Sequence, residues 1–559
     1  MQINGGVSQM FRATATQWKS HGERMVRRLL LSTKAIPNEM LGEKWATPTL
    51  EDSARCSAKD VFEAGVRHHH TANTAYPIAH QITTMPYRVR RTPSQNEMKE
   101  VLVSAYGHLD EMMLYVHVPF CAQRCQFCEY TVVDPKNGKQ DTVQDRYFDA
   151  LLNEFELYDE LLDTNSKKLA GFDIGGGTPS MASIANIARV MDKAHQCFDI
   201  ELKNMNISIE TTPKIAAHDP DKIKAYFDMG IRRISMGVQT TDFALSEKLG
   251  RHDIDYIRKA RDNIRGAGFE SFNVDLMYGF PLRDGANDKW ADTVESTINI
   301  IQPDHITLYR MRYKGTKMAH LQERVGLQQI NSQGDRAVRI LDEAGYRGWV
   351  GKNTFSRLLG DSGCSDYLDK RVVAGIPYIG LGLGAQSFSH STLAYNLGGV
   401  TKRMEQYLKS IQLGRIPIQD LYHLSLPSAM GKFCSVSFYF GSINLMHFQN
   451  NFGILLEEAF PEEVEFVLEK GLMKYVEDRL ALTKKGKAHI SGVISLFYAP
   501  HVQKYLIELP GGEENAAKYM QKGAERPVKS HPYVGNPVGR YERKRSKRDP
   551  RPALSKDWA

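Results

Sequence analysis

The sequence lacks a long apolar run. None of its 559 residues lie in a hydrophobic stretch approaching the roughly 20 residues that a membrane-spanning helix needs, so we expect a soluble protein. It also lacks a nucleotide-hydrolysing motif, and no arrangement of serine, histidine and aspartate suggests a hydrolytic triad. These absences argue against an integral membrane protein and against the common hydrolase classes.

Cysteine is scarce, with seven residues, and an odd number with three of them clustered does not match a secreted disulfide framework. A reducing compartment fits better, and we predict a cytoplasmic protein. The first 34 residues carry six basic residues and one acid, but their apolar core, 29–31, is too short for a secretory signal. A mobile cytosolic extension is the favoured interpretation, and import into an organelle stays open.

Positive charge is confined to one end of the chain. Residues 540–551 supply five of the seven net positive charges, so the rest is nearly neutral. The charge therefore does not predict a nucleic-acid partner for the folded part. From Pro510 onward glycine, proline and basic residues dominate, and we expect disorder. A solvated tail is the default interpretation, with contact to RNA, a membrane surface or an acidic partner left open.

A chain of this length predicts two to four folded units. We divide it into an N-terminal extension (1–100), an α/β domain (101–415), a C-terminal domain (416–507) and the tail (508–559). In the α/β domain, short apolar strands alternate with amphipathic helices such as Asp145–Leu162, which predicts a parallel sheet and a partial (β/α)6 barrel with its chemistry at the C-terminal strand ends. The predicted strands are Met113–Phe120, Leu169–Gly176, Asn206–Thr212, Arg232–Gln239, Ser271–Gly279 and His305–Tyr313.

Outside these six strands the pattern is weaker. A glycine-rich strand, Tyr378–Phe388, is predicted to close the side of the barrel, and residues 416–507 are predicted to form a smaller, mostly helical unit. Its segment Leu482-Thr-Lys-Lys-Gly486 resembles the end of a winged-helix-like lobe. A winged helix suggests DNA binding, but the acidic helix Glu457–Glu469 argues against it. In the extension, His68–His70 is read as an exposed polar run rather than a metal site. Residues 85–91 are expected to lie across the barrel mouth.

The strongest signal is a group of three closely spaced cysteines. Cys121, Cys125 and Cys128 follow an apolar strand directly, in the pattern CxxxCxxC. Thiolates at this spacing select iron–sulfur clusters or zinc. A zinc site needs a fourth ligand close by, and residues 129–133 contain no cysteine or histidine. A cubane cluster held by three cysteines leaves one iron open, so the pattern favours a cluster over zinc or ordinary loop cysteines.

This stretch resembles the radical S-adenosylmethionine (SAM) superfamily. The flanking Tyr115-Val-His-Val-Pro-Phe-Cys121 is similar to the branch of oxygen-independent coproporphyrinogen III oxidases, the HemN-like branch. The resemblance covers residues 112–414 well and 421–507 more loosely. It implies a radical SAM barrel, a 4Fe–4S cluster on the three cysteines, SAM on the open iron, and a one-electron donor such as flavodoxin or ferredoxin.

The resemblance also implies a SAM pocket. A glycine triplet at the end of the second strand lets backbone approach a ligand, and free N–H groups there can bind a carboxylate. By the resemblance, Gly176, Gly177 and Thr178 form the loop for the methionyl amino group of SAM. A buried glutamate at the end of the third strand needs a salt bridge or a bound ligand. The residues that match the family's SAM pocket, which in this branch holds two SAM molecules, are Tyr115, Phe127, Gly176, Gly177, Thr178, Glu210, Gln239, Arg251 and Asp275.

Two departures bear on the reaction. Coproporphyrinogen oxidases carry a fourth cysteine where this chain has Tyr130, and the His-Asn-x-x-Tyr-Trp segment of heme chaperones is missing from residues 349–369. The resemblance is then closest to methyltransferase, cyclopropanase and heme-opening members, with a second SAM as carbon donor for an aromatic or tetrapyrrole substrate. Anaerobic decarboxylation of coproporphyrinogen III and non-catalytic heme carriage remain the alternatives. For Tyr130 and Tyr309 we favour core packing over lining the substrate space.

Overall fold

The computed structural model describes eight stretches of the chain, which are residues 56–72, 94–134, 140–200, 205–251, 254–282, 288–313, 316–399 and 403–509. The predicted extension before residue 56, the segment 85–91 and the basic tail lie outside these residues. Most of the described chain folds around one large β-sheet.

Fourteen strands are found in these stretches. They are β1 (Glu111–Val118), β2 (Lys168–Gly176), β3 (Ser208–Thr211), β4 (Arg233–Gln239), β5 (Ser271–Tyr278), β6 (His305–Arg310), β7 (Thr354–Ser356), β8 (Tyr378–Leu381), β9 (Gln386–Phe388), β10 (Thr392–Asn396), β11 (Ile418–His423), β12 (Ser442–Asn444), β13 (Met473–Val476) and β14 (Arg479–Leu482). The large sheet has the order β11-β10-β9-β8-β1-β2-β3-β4-β5-β6-β7. Strands β1 to β6 pair in parallel, each with the next. The predicted α/β fold with six parallel strands is confirmed, with strand ends within three residues.

Helices cover the outside of the sheet and form most of the C-terminal region. The α-helices are Ala58–Arg67, Gln95–Tyr106, Gln140–Leu162, Ile184–Cys197, Pro213–His218, Pro220–Asp228, Phe243–Lys248, Ile257–Gly266, Trp290–Ser296, Leu327–Glu343, Asp366–Asp369, Glu405–Gln412, Leu426–Ser437, Leu445–Phe452, Leu456–Ala459, Pro461–Glu469, Lys484–Ala488, Ile490–Leu496 and Pro500–Glu508. In the part of the chain that the structure describes, no helix is long and apolar enough to cross a membrane.

The two faces of the parallel strands differ in chemistry because side chains alternate along a strand. Outward-pointing residues such as Val116, Ile174 and Val274 are buried in one apolar core with the covering helices. The strand register aligns the inward positions, since Tyr115 pairs with Asp173 and Glu210 pairs with Ser235. The inner face is therefore polar, which places the functional side chains together inside the barrel.

The predicted closing strand, Tyr378–Phe388, is two strands rather than one. β8 pairs in parallel with β1, as a closing strand should, but β9 returns antiparallel to it. Gly382 and Gly384 between them have φ of +102° and +71°, a left-handed conformation that only glycine adopts readily. These glycines make the chain reverse where the apolar pattern alone predicts continuation.

The C-terminal region has its own apolar core and a three-stranded sheet, β12-β14-β13, beside its helices. Strand β11 still belongs to the large sheet, so we propose to draw the boundary of the C-terminal domain after His423. The predicted acidic helix is interrupted at Phe460, between Leu456–Ala459 and Pro461–Glu469. Helix Ala58–Arg67, from the N-terminal extension, packs into the C-terminal core.

The histidines at 68–70 are not the exposed run predicted. His68 and His69 are nearly fully buried. A nitrogen of the Arg310 guanidinium lies 2.6 Å from Nδ1 of His69, and Nε2 of His70 lies 3.1 Å from the carbonyl of Val325. The run therefore joins the N-terminal segment to the end of β6, because buried polar groups need hydrogen-bond partners.

Candidate functional site

The three clustered cysteines lie in a loop that crosses the C-terminal end of β1. Cys121 donates its backbone N–H to the Val133 carbonyl at 3.0 Å, and Gln126 donates to the Leu249 carbonyl at 3.0 Å. The three thiols are half-buried, and none forms a disulfide. The loop is thus tied to the barrel on two sides with its sulfurs available as ligands.

His117, from the same motif, supports this loop from within the barrel. One of its ring nitrogens lies 2.9 Å from the Thr131 carbonyl. The ring also lies so close to Gly176 that a Cβ at residue 176 would approach it to 2.9 Å. The histidine of the motif therefore fixes the position of the loop relative to β2 and is not itself a ligand candidate.

The donor set fits an iron–sulfur cluster better than a single metal ion. Burial raises the pKa of the Cys121 thiol to about 11 and also raises that of Cys128, so these two thiols stay protonated until a metal supplies positive charge. Within the described ranges, no three His, Cys, Asp or Glu side chains are grouped to hold one metal ion. A cluster does not need such convergence, because each thiolate binds a different iron.

The glycine triplet after β2 lies directly beneath the cysteine loop, but its N–H groups are not free as predicted. Gly177 and Thr178 donate theirs to the carbonyls of Val118 and Phe120, at 2.9 and 2.8 Å, and Gly176 donates to the Glu210 carboxylate. These backbone N–H groups are already hydrogen-bonded within the protein, because the pairing of β2 with β1 continues into the loop. Two features remain available to a ligand. The glycine triplet has no side chains in the way, and the Thr178 hydroxyl lies 3.4 Å from Sγ of Cys121.

Substituting Gly177 with alanine should disrupt the cysteine loop. An added Cβ would lie 2.7 Å from the carbonyl oxygen of Phe120 and 2.8 Å from that of Pro119, closer than real Cβ atoms come. We expect Gly177→Ala to lower the melting temperature by several degrees and to reduce iron incorporation on reconstitution. Gly266→Ala is the control, since nothing lies within 4 Å of its Cβ position, and it should leave both unchanged. Normal iron content in Gly177→Ala would contradict this role.

Glu210 is the acid of the site. It stands on β3, accessible to the space inside the barrel, and it forms no ion pair with the residues that the structure describes. Its Oε1 and the hydroxyl of Tyr115 both approach Gly175, where a Cβ would lie 2.8 Å from each. Enclosure by protein, then the charges of Asp275 and Asp173, raise the pKa of Glu210 to about 8. A cationic ligand would stabilise the ionised carboxylate and lower this pKa again.

Arg251 and Gln239 border the cysteine loop from the ends of β4 and the following turn. Arg251 has Nη1 at 3.9 Å from Sγ of Cys125 and donates from Nη2 to the Gly237 carbonyl. Gln239 has φ of +69°, and the pairing of β4 with β5 shifts register at this point. Such a bulge redirects a side chain and costs of the order of 1–3 kcal/mol in backbone strain, which persists where the surroundings impose it.

Asp275 lies on the inner face of β5. Its carboxylate accepts hydrogen bonds from Ser235 at 3.0 Å and from Asn273 at 2.8 Å, while burial raises its pKa. Phe127, by contrast, packs against an apolar cluster with Leu249 and is only partly buried. The predicted pocket residues thus meet around one space, with Asp275 at its far wall and Phe127 beside the cysteines.

The sequence analysis favours core packing for Tyr130 and Tyr309, and this prediction is wrong. Their side chains are 53 % and 37 % exposed. Both lie near the acids of the barrel interior: burial and then the charges of Asp275 and Glu210 raise the pKa of Tyr309, and Glu210 also acts on Tyr130. Both tyrosines therefore line the space where a substrate would lie, and Tyr130 occupies the position of the oxidases' fourth cysteine.

Sequence reasoning missed several residues of this space. Asp173 on β2 faces Glu210, and burial raises its pKa to about 7. Arg233, near the start of β4, donates to Ser208 and to the Gly363 carbonyl beneath these acids. The period-2 alternation of β2 and β4 could have indicated both positions. Lys432, on a helix outside the barrel, was also missed, although it is the one charged residue in a long uncharged stretch of sequence.

Comparison with known proteins agrees with this geometry. Residues 115–293 match the family model of the Radical SAM superfamily. The heme chaperone HemW of Haemophilus influenzae is 25 % identical over 400 residues, covering 70 % of this chain and 98 % of that protein. The oxygen-independent coproporphyrinogen III oxidase of Helicobacter pylori is 23 % identical over 474 residues, covering 78 % and 96 %.

Among solved structures, coproporphyrinogen III oxidase (HemN) from Escherichia coli, described as a radical SAM enzyme, superposes with a TM-score of 0.59 at 22 % identity. It covers 71 % of this chain and 93 % of the other, so the folds agree. The cysteine loop lies on this shared fold, at the C-terminal end of the first parallel strand. Residues 115–293 therefore match the Radical SAM superfamily, and most of the chain is similar to the HemW and HemN proteins named above.

Proposed function

We propose that this protein cleaves SAM reductively at a 4Fe–4S cluster held by Cys121, Cys125 and Cys128, and uses the radical on an aromatic or tetrapyrrole substrate. The observation that carries the proposal is Glu210. Its carboxylate is accessible, lies beside Gly175 beneath the cysteine loop and forms no direct ion pair in the described part of the chain, although the charge of Arg233 acts on it. It suits a ligand that carries ammonium and sulfonium groups, as SAM does.

When bound, the cluster supplies one electron that breaks the S–C5′ bond of SAM, giving methionine and a 5′-deoxyadenosyl radical. The residues of the chain hold and orient the reactants. Thr178 and Glu210 would accept hydrogen bonds from the ammonium group, and the absence of a Cβ at Gly175 leaves room for the Glu210 carboxylate. The barrel wall excludes water and oxygen from the radical. A one-electron donor such as flavodoxin or ferredoxin is required.

The finer proposal is that a second SAM donates carbon to the substrate. Two carboxylates, Glu210 and Asp275, stand on the inner face of the barrel. Burial raises the pKa of both, and the charge of Asp275 raises that of Glu210 further. That pair supports two cationic ligands, and Tyr130 in place of a fourth cysteine separates this chain from the oxidases. The relatives named above are oxidases and heme chaperones, so decarboxylation and heme carriage are the competing functions.

Turnover without substrate separates an enzyme from a carrier. Reconstituted protein with dithionite and SAM should release 5′-deoxyadenosine, and the absence of SAM cleavage would favour a non-catalytic heme carrier. Methyl-deuterated SAM then separates the reactions. Deuterium in the product supports carbon transfer, whereas carbon dioxide released from coproporphyrinogen III without label supports decarboxylation and overturns the finer proposal.

A further inference from the structure

One buried helix outside the barrel carries a single charge. Nearly every residue of Leu426–Ser437 is buried, and Lys432 is only 4 % exposed. It is the only Lys, Arg, Asp or Glu between Asp420 and Glu457. An ammonium group in such a place is costly unless a counter-charge or strong acceptors surround it.

No such partner is found for Lys432 among the described residues. Its Nζ lies 5.8 Å from the centre of the Phe388 ring, and no ion pair or hydrogen-bond acceptor accompanies it. The charges that act on it, from Arg371 and Arg312, are both positive. Burial first, and then these two cations, lower the pKa of Lys432 to about 7. The protein therefore brings three basic groups towards one place and leaves the central one without an anion.

Aromatic rings connect this cationic place to the barrel. The guanidinium of Arg371 lies 5.0 Å from the centre of the Tyr378 ring and 5.9 Å from that of Tyr367. The Tyr367 ring is in turn 5.8 Å from the ring of Tyr115. Because Tyr115 also borders Gly175 beside Glu210, a row of rings leads from the SAM pocket to the basic groups.

Arg312 approaches from the other side. It pairs with Glu129 of the cysteine loop and donates to the hydroxyl of Tyr439, at 3.2 Å, just after the helix that bears Lys432. Arg312 thus stands beside the cysteine loop, whereas Arg371 lies against Tyr378, towards the N-terminal ends of β1 and β8. A flat ring bearing acidic substituents fits a place walled by aromatic rings and edged by cations.

We propose that Lys432, with Arg371 and Arg312 as neighbouring cations, binds a carboxylate of the substrate and orients an anionic aromatic ring beside this row of rings. The proposal rests on the proposed function, since it assigns the substrate's side of the same space. A carboxylate would give the buried ammonium the partner it lacks. The methionine carboxylate of SAM offers the same chemistry, and the experiment separates the two sources.

The test compares Lys432→Met with the unsubstituted full-length protein in binding two porphyrins. Coproporphyrin III carries four carboxylates, and its tetra-amide has the same ring without charge. The unsubstituted protein should prefer the acid, and Lys432→Met should weaken acid binding at least about tenfold, as loss of a charged pair does, while amide binding stays the same. Its melting temperature should rise, because an unpaired buried charge is removed.

Lys352→Met is the matched control. Lys352 is also buried, at 6 % exposure, but donates to the Ser362 carbonyl, so its loss should lower the melting temperature and leave the acid preference intact. Equal weakening of both porphyrins in Lys432→Met, or no preference for the acid in the unsubstituted protein, would overturn the proposal. Weaker SAM binding with unchanged porphyrin binding would assign the carboxylate to SAM and overturn it too. Failure of SAM cleavage alone would leave the acid preference intact and would count against the proposed function instead.

Discussion

Replacement of Cys125 by serine is expected to abolish iron binding and SAM cleavage together. The serine hydroxyl is a hard donor and replaces a soft thiolate that iron–sulfur clusters require. With one of three ligands lost, the loop that crosses the end of β1 can no longer hold a cubane. Reconstituted Cys125→Ser should show background iron and sulfide, and release of 5′-deoxyadenosine should fall at least about 100-fold, as for loss of one member of an interdependent set.

The control for this variant is another half-buried cysteine. Cys56 lies at the start of the N-terminal segment, against the C-terminal core and outside the barrel. Cys56→Ser should keep the cluster and its activity. Equal losses in both variants would indicate general damage by thiol removal, and a normal cluster in Cys125→Ser would show that the loop is not the ligand set.

Substitution of Glu210 by glutamine should impair SAM binding more than any other single change in the pocket. Glutamine keeps the size and the hydrogen bond from the Gly176 N–H but removes the negative charge that faces the ligand. Loss of a charged hydrogen bond costs about 1.5–3 kcal/mol, so the dissociation constant for SAM should rise roughly 10- to 150-fold. Equilibrium binding to the reconstituted protein measures it. Glu156→Gln, which removes an exposed acid paired with Lys193, should change nothing.

The same carboxylate predicts a pH dependence. Because the pKa of Glu210 is raised to about 8 in the free protein, most of the group is protonated at neutral pH. A cationic ligand binds the ionised form, so SAM affinity should rise up to tenfold per pH unit below pH 8 and level off above it. The glutamine variant should show a flat profile. A wild-type affinity that falls as pH rises through this range would contradict the assignment of Glu210 as the cation's partner.

Much of the fold is readable from local patterns. The six parallel strands have uninterrupted apolar outer faces, and the helices between them have one clear apolar side, as in Gln140–Leu162, so periodicity alone predicts them. The reversal within residues 378–388 was missed because apolar residues continue on both sides of Gly382 and Gly384. Whether such glycines turn the chain or merely accommodate a neighbour depends on tertiary contacts.

The candidate site likewise has some features that follow from local sequence patterns and others that depend on tertiary contacts. The cysteine spacing and the acids at strand ends could be predicted, since their positions follow from sequence motif and strand alternation. The use of the Gly177 and Thr178 N–H groups within the protein could not, because it depends on how far β2 pairs beyond its end. The exposure of Tyr130 could not be predicted either, since a single aromatic residue beside a motif can equally line a pocket or pack in the hydrophobic core. Lys432 could have been identified from the sequence, because it is the one charged residue in the long uncharged stretch between Asp420 and Glu457.

The measurement that tests the account most directly is the metal content of protein purified without oxygen. We predict about four iron and four sulfide per chain, a reducible cluster by electron paramagnetic resonance, and a change in that signal when SAM is added. Zinc in place of iron, or no metal after reconstitution, would contradict the assignment of the three cysteines and with it the roles given to Glu210 and the rest of the pocket.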